Sequence, residues 1–502
     1  MHRRSFSAFV AVFLAFAMIA AACGGSDRES ATTDDPPADD GAAETPADDD
    51  GAADDGAATD DGAEEPADDA GAEEPADDAG AEEPVDDAAM FGDLPLPCGP
   101  GDASGATDQG VTDTTITIGA GDDRGFASSP GLNEQMTAAA RAIVAVCNEA
   151  GGINGRQIEL IDYDAKLFEV STVMLDACDN VFMLVGEGFA VDGFGEETRV
   201  QCELAHVPAW TVSAAAAHGP GMVQPLPNPA DQLPLAIAAY LAETYPDAIT
   251  SSATMFGNFS ATIETKDKVV EAYPALGYEF LADLEYNVNG EEDWTPFVLQ
   301  LEDAGAEFVY FSGSCLPNFQ QLRSAAAVND YEAIWQTDAN FYDSACAQAN
   351  ADGVLDGTYM RLAIVPFEER EANAATDDYM TMMEDAGEGI SAVAVQTVSA
   401  FLMWATAASE CGSELTRACV IDTASTFTEW TGHGLHVPTN PGANETPDCG
   451  IVMQLVGTEY QRVWPTEPGT FDCDPSYRAE ITTQWSEEAA LDENRVSQQF
   501  TG

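Results

Sequence analysis

Between Val111 and Gly188 the spacing of apolar positions changes period several times. Thr114-Thr115-Ile116-Thr117-Ile118-Gly119 alternates, as a half-buried strand does, and runs into the loop Ala120-Gly121-Asp122-Asp123-Arg124-Gly125. Leu132, Met136, Ala139, Ile143 and Val146 then recur at steps of three and four, which predicts a helix. Ala150-Gly151-Gly152-Ile153-Asn154-Gly155-Arg156 stops that helix, because glycine accepts the left-handed cap and a tight turn. A strand over Ile158–Tyr163, a helix over Ser171–Asp179 and a strand over Phe182–Gly186 follow. This order predicts parallel strands joined by right-handed crossovers, an α/β sheet. Ligands of such sheets sit beyond the carboxyl ends of the strands, which directs attention to the loops after Gly119 and Gly186.

The alternation continues with a helix over Glu196–Ala205 and a fourth strand over Pro208–Val212, ending in Ser213-Ala214-Ala215-Ala216-Ala217. Both periods lapse in Gln224-Pro225-Leu226-Pro227-Asn228-Pro229, which reads as a crossing to a second lobe. There the pattern resumes: helices over Leu233–Thr244, Phe259–Ala272, Trp294–Ala304 and Asn318–Ala327, and strands over Ser251–Phe256, Tyr278–Glu285, Glu307–Phe311 and Ala333–Gln336. Thr358–Val365 reads as a strand leading back. Val393–Ala408 is apolar nearly all round, which predicts a helix buried in the first lobe. Thr431–Pro441 makes a third crossing, and Cys449–Val456 with Glu459–Trp464 forms an antiparallel pair. The expected architecture is two doubly wound parallel-sheet lobes on a three-crossing hinge. Residues 94–226 and 359–430 form lobe 1, 227–358 and 445–478 form lobe 2, and 479–502 is an acidic tail.

Composition changes the picture at the N-terminus. Met1–Ala22 carries Arg3 and Arg4 ahead of an apolar run from Ala8 to Ile19, the layout of a secretory signal. Ala20-Ala21-Ala22-Cys23 resembles a bacterial lipobox, with Ala20 where leucine is usual; this makes Cys23 the expected lipidation site and membrane anchor. From Gly24 to Asp93 the chain is alanine, glycine, proline and acid, with 27 acidic residues and one arginine. Such a segment cannot bury enough apolar surface to offset its ordering entropy, so 23–93 reads as a lipid-anchored disordered tether. The whole chain has a net charge of −72, and Lys166, Lys266 and Lys268 are its only lysines. Nucleic acid is excluded as a partner, since phosphate requires a basic face.

The segments GVTDTTITIG, NEAGGINGRQIELIDYDAK and FMLVGEG, in this order around a long helix, resemble the receptor lipoproteins of the leucine/isoleucine/valine-binding type. These are type I periplasmic substrate-binding components of ABC importers. The resemblance extends loosely to about Cys473 and implies a small polar organic ligand, such as an amino acid or amide, held between the lobes. It also implies ABC permease subunits as partners, no cofactor and no catalysis. In that family, loops after the third and fourth strands of lobe 1 hold a carboxylate. The matching positions are Phe189 and Ala190, and Ser213, Ala214 and Ala215, although the hydroxyls expected near Ala190 and Ala215 are missing. From lobe 2 the resemblance implies an aromatic wall at Phe256, an acid for an ammonium group at Asp338, and Ser314 where a tyrosine is usual.

Other chemistry is poorly supported. His433-Gly434-Leu435-His436 lacks neighbouring metal ligands, so the two histidines read as loop residues and no metal is expected. Ser312-Gly313-Ser314-Cys315 has no identifiable acid–base partner. A ligand sensor, an exported hydrolase and a passive surface protein stand as the rival readings.

Ten cysteines besides Cys23 suit disulfides in an exported protein. Bridges should stay within a lobe, because one across the cleft would block closure. Cys98, Cys147, Cys178, Cys202, Cys411 and Cys419 fall in lobe 1; Cys315, Cys346, Cys449 and Cys473 fall in lobe 2. Six allow fifteen pairings and four allow three, which leaves connectivity open. The expected set is Cys98–Cys147, Cys178–Cys202, Cys411–Cys419, Cys315–Cys346 and Cys449–Cys473.

Overall fold

A computed structural model describes residues 89–482. The signal sequence, Cys23, most of the tether and the tail beyond Thr482 lie outside the described residues.

The first sheet contains four parallel strands: β1 (Thr115–Asp122), β2 (Gln157–Asp164), β3 (Met183–Val185) and β4 (His206–Val207), in the order β2-β1-β3-β4. Helices α1 (Gln135–Glu149), α2 (Val170–Asn180) and α3 (Gly193–Gln201) make the connections. The turn after α1 needs its glycines: Gly151 and Gly152 have φ of +117° and +77°. Two details of the helical stripe differ from expectation. Asn133 has a φ of 60°, so α1 starts after Leu132, which faces the cleft instead. Val146, at the other end, is exposed. The fourth strand is shorter and earlier than expected, because Pro208 has no N–H to extend the ladder beyond Val207.

The second sheet runs β11-β10-β9-β8-β7-β5-β6. Its parallel strands are β5 (Ser252–Gly257), β6 (Phe280–Tyr286), β7 (Phe308–Ser312), β8 (Ile334–Thr337) and β9 (Thr358–Leu362). The hairpin of β10 (Cys449–Val456) and β11 (Glu459–Trp464) is added antiparallel at β9. Assigning residues from 359 to lobe 1 is therefore corrected: β9 is paired on both sides within the lobe 2 sheet, and the chain crosses back only after Leu362.

Both outer boundaries also move. Met90–Phe91 pairs with Leu94–Pro95 and buries Phe91, inside the stretch expected to be tether. Arg478–Glu480 pairs antiparallel with Gln232–Pro234, the stretch expected to open a helix, and Ile481 is buried against Leu235 and Ile237. Each segment is anchored by one apolar side chain that finds a core, a gain the acidic surroundings hide.

The expected buried helix is α5 (Ala392–Cys411), following α4 (Ala374–Ala386), which the sequence pattern above did not predict. The α5 segment is long and apolar enough to cross a membrane, yet it is buried nearly all round inside the protein. Thr397 Oγ1 donates to Gly186 O at 2.9 Å, and a Cβ at Gly186 would lie 2.8 Å from the Thr397 methyl. The close approach of helix and strand therefore requires glycine. Two crossings run side by side: Val365 N donates to Leu435 O and Val437 N to Ala363 O, both at 2.9 Å. Thr439 Oγ1 donates to Pro225 O at 2.6 Å and ties in the first crossing. His436 serves this hinge: its Nδ1 lies 2.7 Å from Val437 O and its Nε2 2.8 Å from Ser399 Oγ.

Five disulfides join Cys98 to Cys147, Cys178 to Cys202, Cys315 to Cys346, Cys411 to Cys419 and Cys449 to Cys473. Each stays within one lobe, so none restrains the cleft.

Candidate functional site

The carboxyl ends of both sets of parallel strands meet at a cleft of about 290 Å³, near the small end of ligand cavities. Its mouth is bridged where Ser129 Oγ of lobe 1 donates to Leu316 O of lobe 2 at 2.7 Å.

Lobe 1 contributes an apolar wall of Phe126, Leu132, Leu167, Trp210, Val212 and Val393, with Ser129, Asn133, Ala190 and Gln396 among them. No charged side chain lines the cleft from this lobe among the described residues. The wall is held by buried aspartates. Asp123, one residue beyond β1, accepts from Leu167 N (3.0 Å) and Ala190 N (2.8 Å). Asp192 accepts from Val212 N (2.7 Å) and Ser213 N (3.0 Å). Burial raises Asp123 to about 7 and Asp192 to about 6. Leu167 reaches the cleft from a left-handed backbone, φ +71°, next to Lys166 at +46°. Two successive non-glycine residues there cost energy that the Asp123 bond offsets. Deeper in the lobe, Glu187 Oε1 and His206 Nδ1 lie 2.8 Å apart, and burial pushes Glu187 up to about 8.

Lobe 2 contributes the charged wall. Asp338 follows β8 and accepts from Tyr310 Oη (2.5 Å) and Ser312 Oγ (3.2 Å); burial raises it to about 6. Arg361 projects from β9, donates to Cys449 O at 3.0 Å, and is lowered to about 10 by burial. Glu264 and Lys268 stand on the helix after β5, with Lys268 Nζ donating to Pro229 O at 2.8 Å. Burial raises Glu264 to about 7 and lowers Lys268 to about 8.

Of the residues named from sequence, Ala190, Ser314 and Asp338 line this cleft. Phe189 is instead packed in lobe 1, its ring over Gly121. Ser213 caps the one-turn helix Ala214–Ala217, its hydroxyl accepting from Ala216 N at 3.2 Å. Ala214 and Ala215 belong to that turn and do not reach the cleft lining. Phe256 is buried beneath Lys266, whose Nζ sits 4.5 Å from its ring centre, and the aromatic lining the cleft nearby is Phe259. The reason is strand alternation: Phe256 still lies within β5, whereas Phe259 lies in the turn beyond its carboxyl end. Arg361, Lys268, Trp210 and Leu167 were not anticipated. For Arg361 a signal existed: a lone arginine inside the apolar run Tyr359-Met360-Arg361-Leu362.

Two sheets, three crossings and a cleft between the lobes at the strand ends define a two-lobed binding protein. Residues 115–459 match the periplasmic binding protein family, and the chain belongs to it. Among solved structures, the fold is similar to a fatty acid ABC transporter substrate-binding protein from Thermomonospora curvata. That match has 15% identity and a TM-score of 0.56, and covers 71% of this chain and 93% of that one. It is also similar to the branched-chain amino acid transporter substrate-binding protein LivJ from Streptococcus pneumoniae, in complex with isoleucine (15%, 0.57, 70% and 99%). A third is an R. palustris solute-binding protein in complex with 4-hydroxybenzoate (12%, 0.55, 68% and 92%). No curated protein matches significantly.

Proposed function

We propose that this protein captures a small organic ligand between its lobes and delivers it to the permease of an ABC importer. The observation that carries the reading is the cleft itself, walled by both lobes, which Ser129 and Leu316 bridge. A ligand touching both walls stabilises the closed arrangement, so occupancy becomes a shape that a permease can sense. Family membership and the solute-binding neighbours support export, and the residues around Cys23 support a lipid anchor on the outer face of the cytoplasmic membrane. The ligands of the neighbours (an amino acid, an aromatic acid, a fatty acid by name) make a small organic molecule the class to test.

The test is a thermal-shift panel of amino acids, amides, carboxylic acids and polyols, followed by calorimetry. A ligand at 100 times its Kd raises stability by about 2.7 kcal/mol, which is readily seen as a higher midpoint. If no compound moves the midpoint, the protein is not a solute receptor. Replacing Cys23 by Ser should release the protein from membrane fractions; continued membrane association would remove the anchor from this account.

A further inference from the structure

We propose that the ligand is a small carboxylic acid with an apolar body, and that its carboxylate is received by Arg361 of lobe 2. This rests on the reading of the cleft as a ligand site and narrows the ligand's chemistry and orientation.

In lobe 1 the loop amides are already taken by the protein's own carboxyl groups. The main-chain N–H groups of Ala190, Val212 and Ser213 donate to Asp123 and Asp192. The Ser213 hydroxyl is taken up by its own helix turn. A ligand carboxylate placed at these loops would find no free amide among these three. What lobe 1 does offer the ligand is the ring of Phe126, the Trp210 indole, and the side chains of Leu132, Leu167 and Val393.

Arg361 is the opposite case. It forms no ion pair among the described residues; Nη2 donates to Cys449 O, and Nε is enclosed beside Gly450 without a hydrogen-bond partner. Arg124, Arg141, Arg199, Arg370, Arg462 and Arg478 all have an acid within ion-pair distance, whereas Arg156, Arg323 and Arg417 donate to main-chain carbonyls and do not line the cleft. The other cation of the cleft, Lys268, has Glu264 and Asp231 close enough to stabilise its charge. In a chain of net charge −72, a cleft arginine left without an acid is a vacancy for an incoming one. A planar guanidinium suits a carboxylate because the two groups can join through paired, charge-assisted hydrogen bonds. Asp338 on the same wall disfavours a second carboxylate nearby and accepts a hydroxyl or ammonium if the acid carries one.

The test compares acids with their own primary amides, measured by calorimetry on the whole protein: phenylacetate, 4-methylpentanoate, 4-hydroxybenzoate and leucine. At least one acid should bind, with its amide weaker by about 10- to 150-fold. Arg361→Gln should bring acid and amide to similar affinity, while Arg361→Lys keeps most of the preference. The proposal is overturned if the parent binds amide and acid alike, or if the preference survives in Arg361→Gln. It is also overturned if the parent binds neutral compounds but none of the acids. In those cases the cleft remains a solute site; if nothing binds at all, the functional reading falls as well. The acid–amide ratio of the parent needs no variant, so a misfolded Arg361→Gln leaves that arm decisive.

Discussion

The two walls of the cleft come from similar parallel sheets and use their strand ends differently. In lobe 1 the ends carry Asp123 and Asp192, and both carboxylates are spent on the protein's own amides. In lobe 2 they carry Asp338 and Arg361, which line the cleft; Asp338 accepts only from two hydroxyls, and Arg361 has no ion-pair partner among the described residues. Lobe 1 thus supplies shape and apolar surface, while lobe 2 supplies charge. The difference teaches that position at a strand end does not make a residue a ligand contact; what matters is whether its polar groups are already satisfied.

This division can be broken by substitution. The largest effect on binding is expected from the apolar wall: Trp210→Ala should weaken every bound ligand by about 30- to 1,000-fold, or about 2–4 kcal/mol. The preference for acid over amide should survive, and calorimetry on a matched pair would show it. A preference lost together with Trp210 would mean that lobe 1 reads the head group too.

Phe256→Ala should cost about 3–4 kcal/mol of stability, because the buried ring is lost from beneath Lys266. Affinity at saturating folded protein should barely change. Denaturant melts beside a binding isotherm separate the two effects. A large affinity loss with unchanged stability would return Phe256 to the site.

Acidity should stabilise the protein over a defined window. Asp123, Glu264 and Glu187 are pushed up to about 7, about 7 and about 8. The folded state therefore holds protons that the unfolded chain, with carboxylate pKa values near 4, has released. Stability then falls as pH rises from about 4 towards 8, and Tm should climb on going from pH 8 to 6.5. Below 6.5 the trend should flatten, because His206, His433 and His436 are pushed down by burial. They take up protons in the unfolded chain first. Scanning calorimetry at constant ionic strength would check the slope, and a Tm that drops between pH 8 and 6.5 contradicts it.

Ser213→Ala should have the smallest effect. Losing the cap of Ala214–Ala217 costs about 1 kcal/mol, with ligand affinity unchanged. A clear loss of affinity would restore lobe 1 as a head-group site.

Much of the fold was legible because period is a local property. Ile116 and Ile118 alternate, Met136, Ala139 and Ile143 follow a helical stripe, and the glycines after Glu149 end it. The α4 helix carries a local signal too: Ala375, Tyr379 and Met383 recur every four residues behind the capping Asn373. The site was less legible. Ala190, Ser314 and Asp338 follow from being in strand-end loops, but Ser213 and Phe256 have the same sequence credentials and point elsewhere.

By itself, then, the amino-acid sequence determined the alternation of strands and helices, the two lobes, the acidic N-terminal stretch and the even count of cysteines in each lobe. These depend on neighbours a few residues apart or on composition. Only the tertiary structure decided that β9 belongs to lobe 2, since its partners β8 and β10 come from stretches about 25 and 90 residues away. It alone decided which amides Asp123 and Asp192 consume, and that the arginine lining the cleft has no ion-pair partner. Satisfaction of a polar group is a property of its surroundings in space, and those surroundings come from distant parts of the chain.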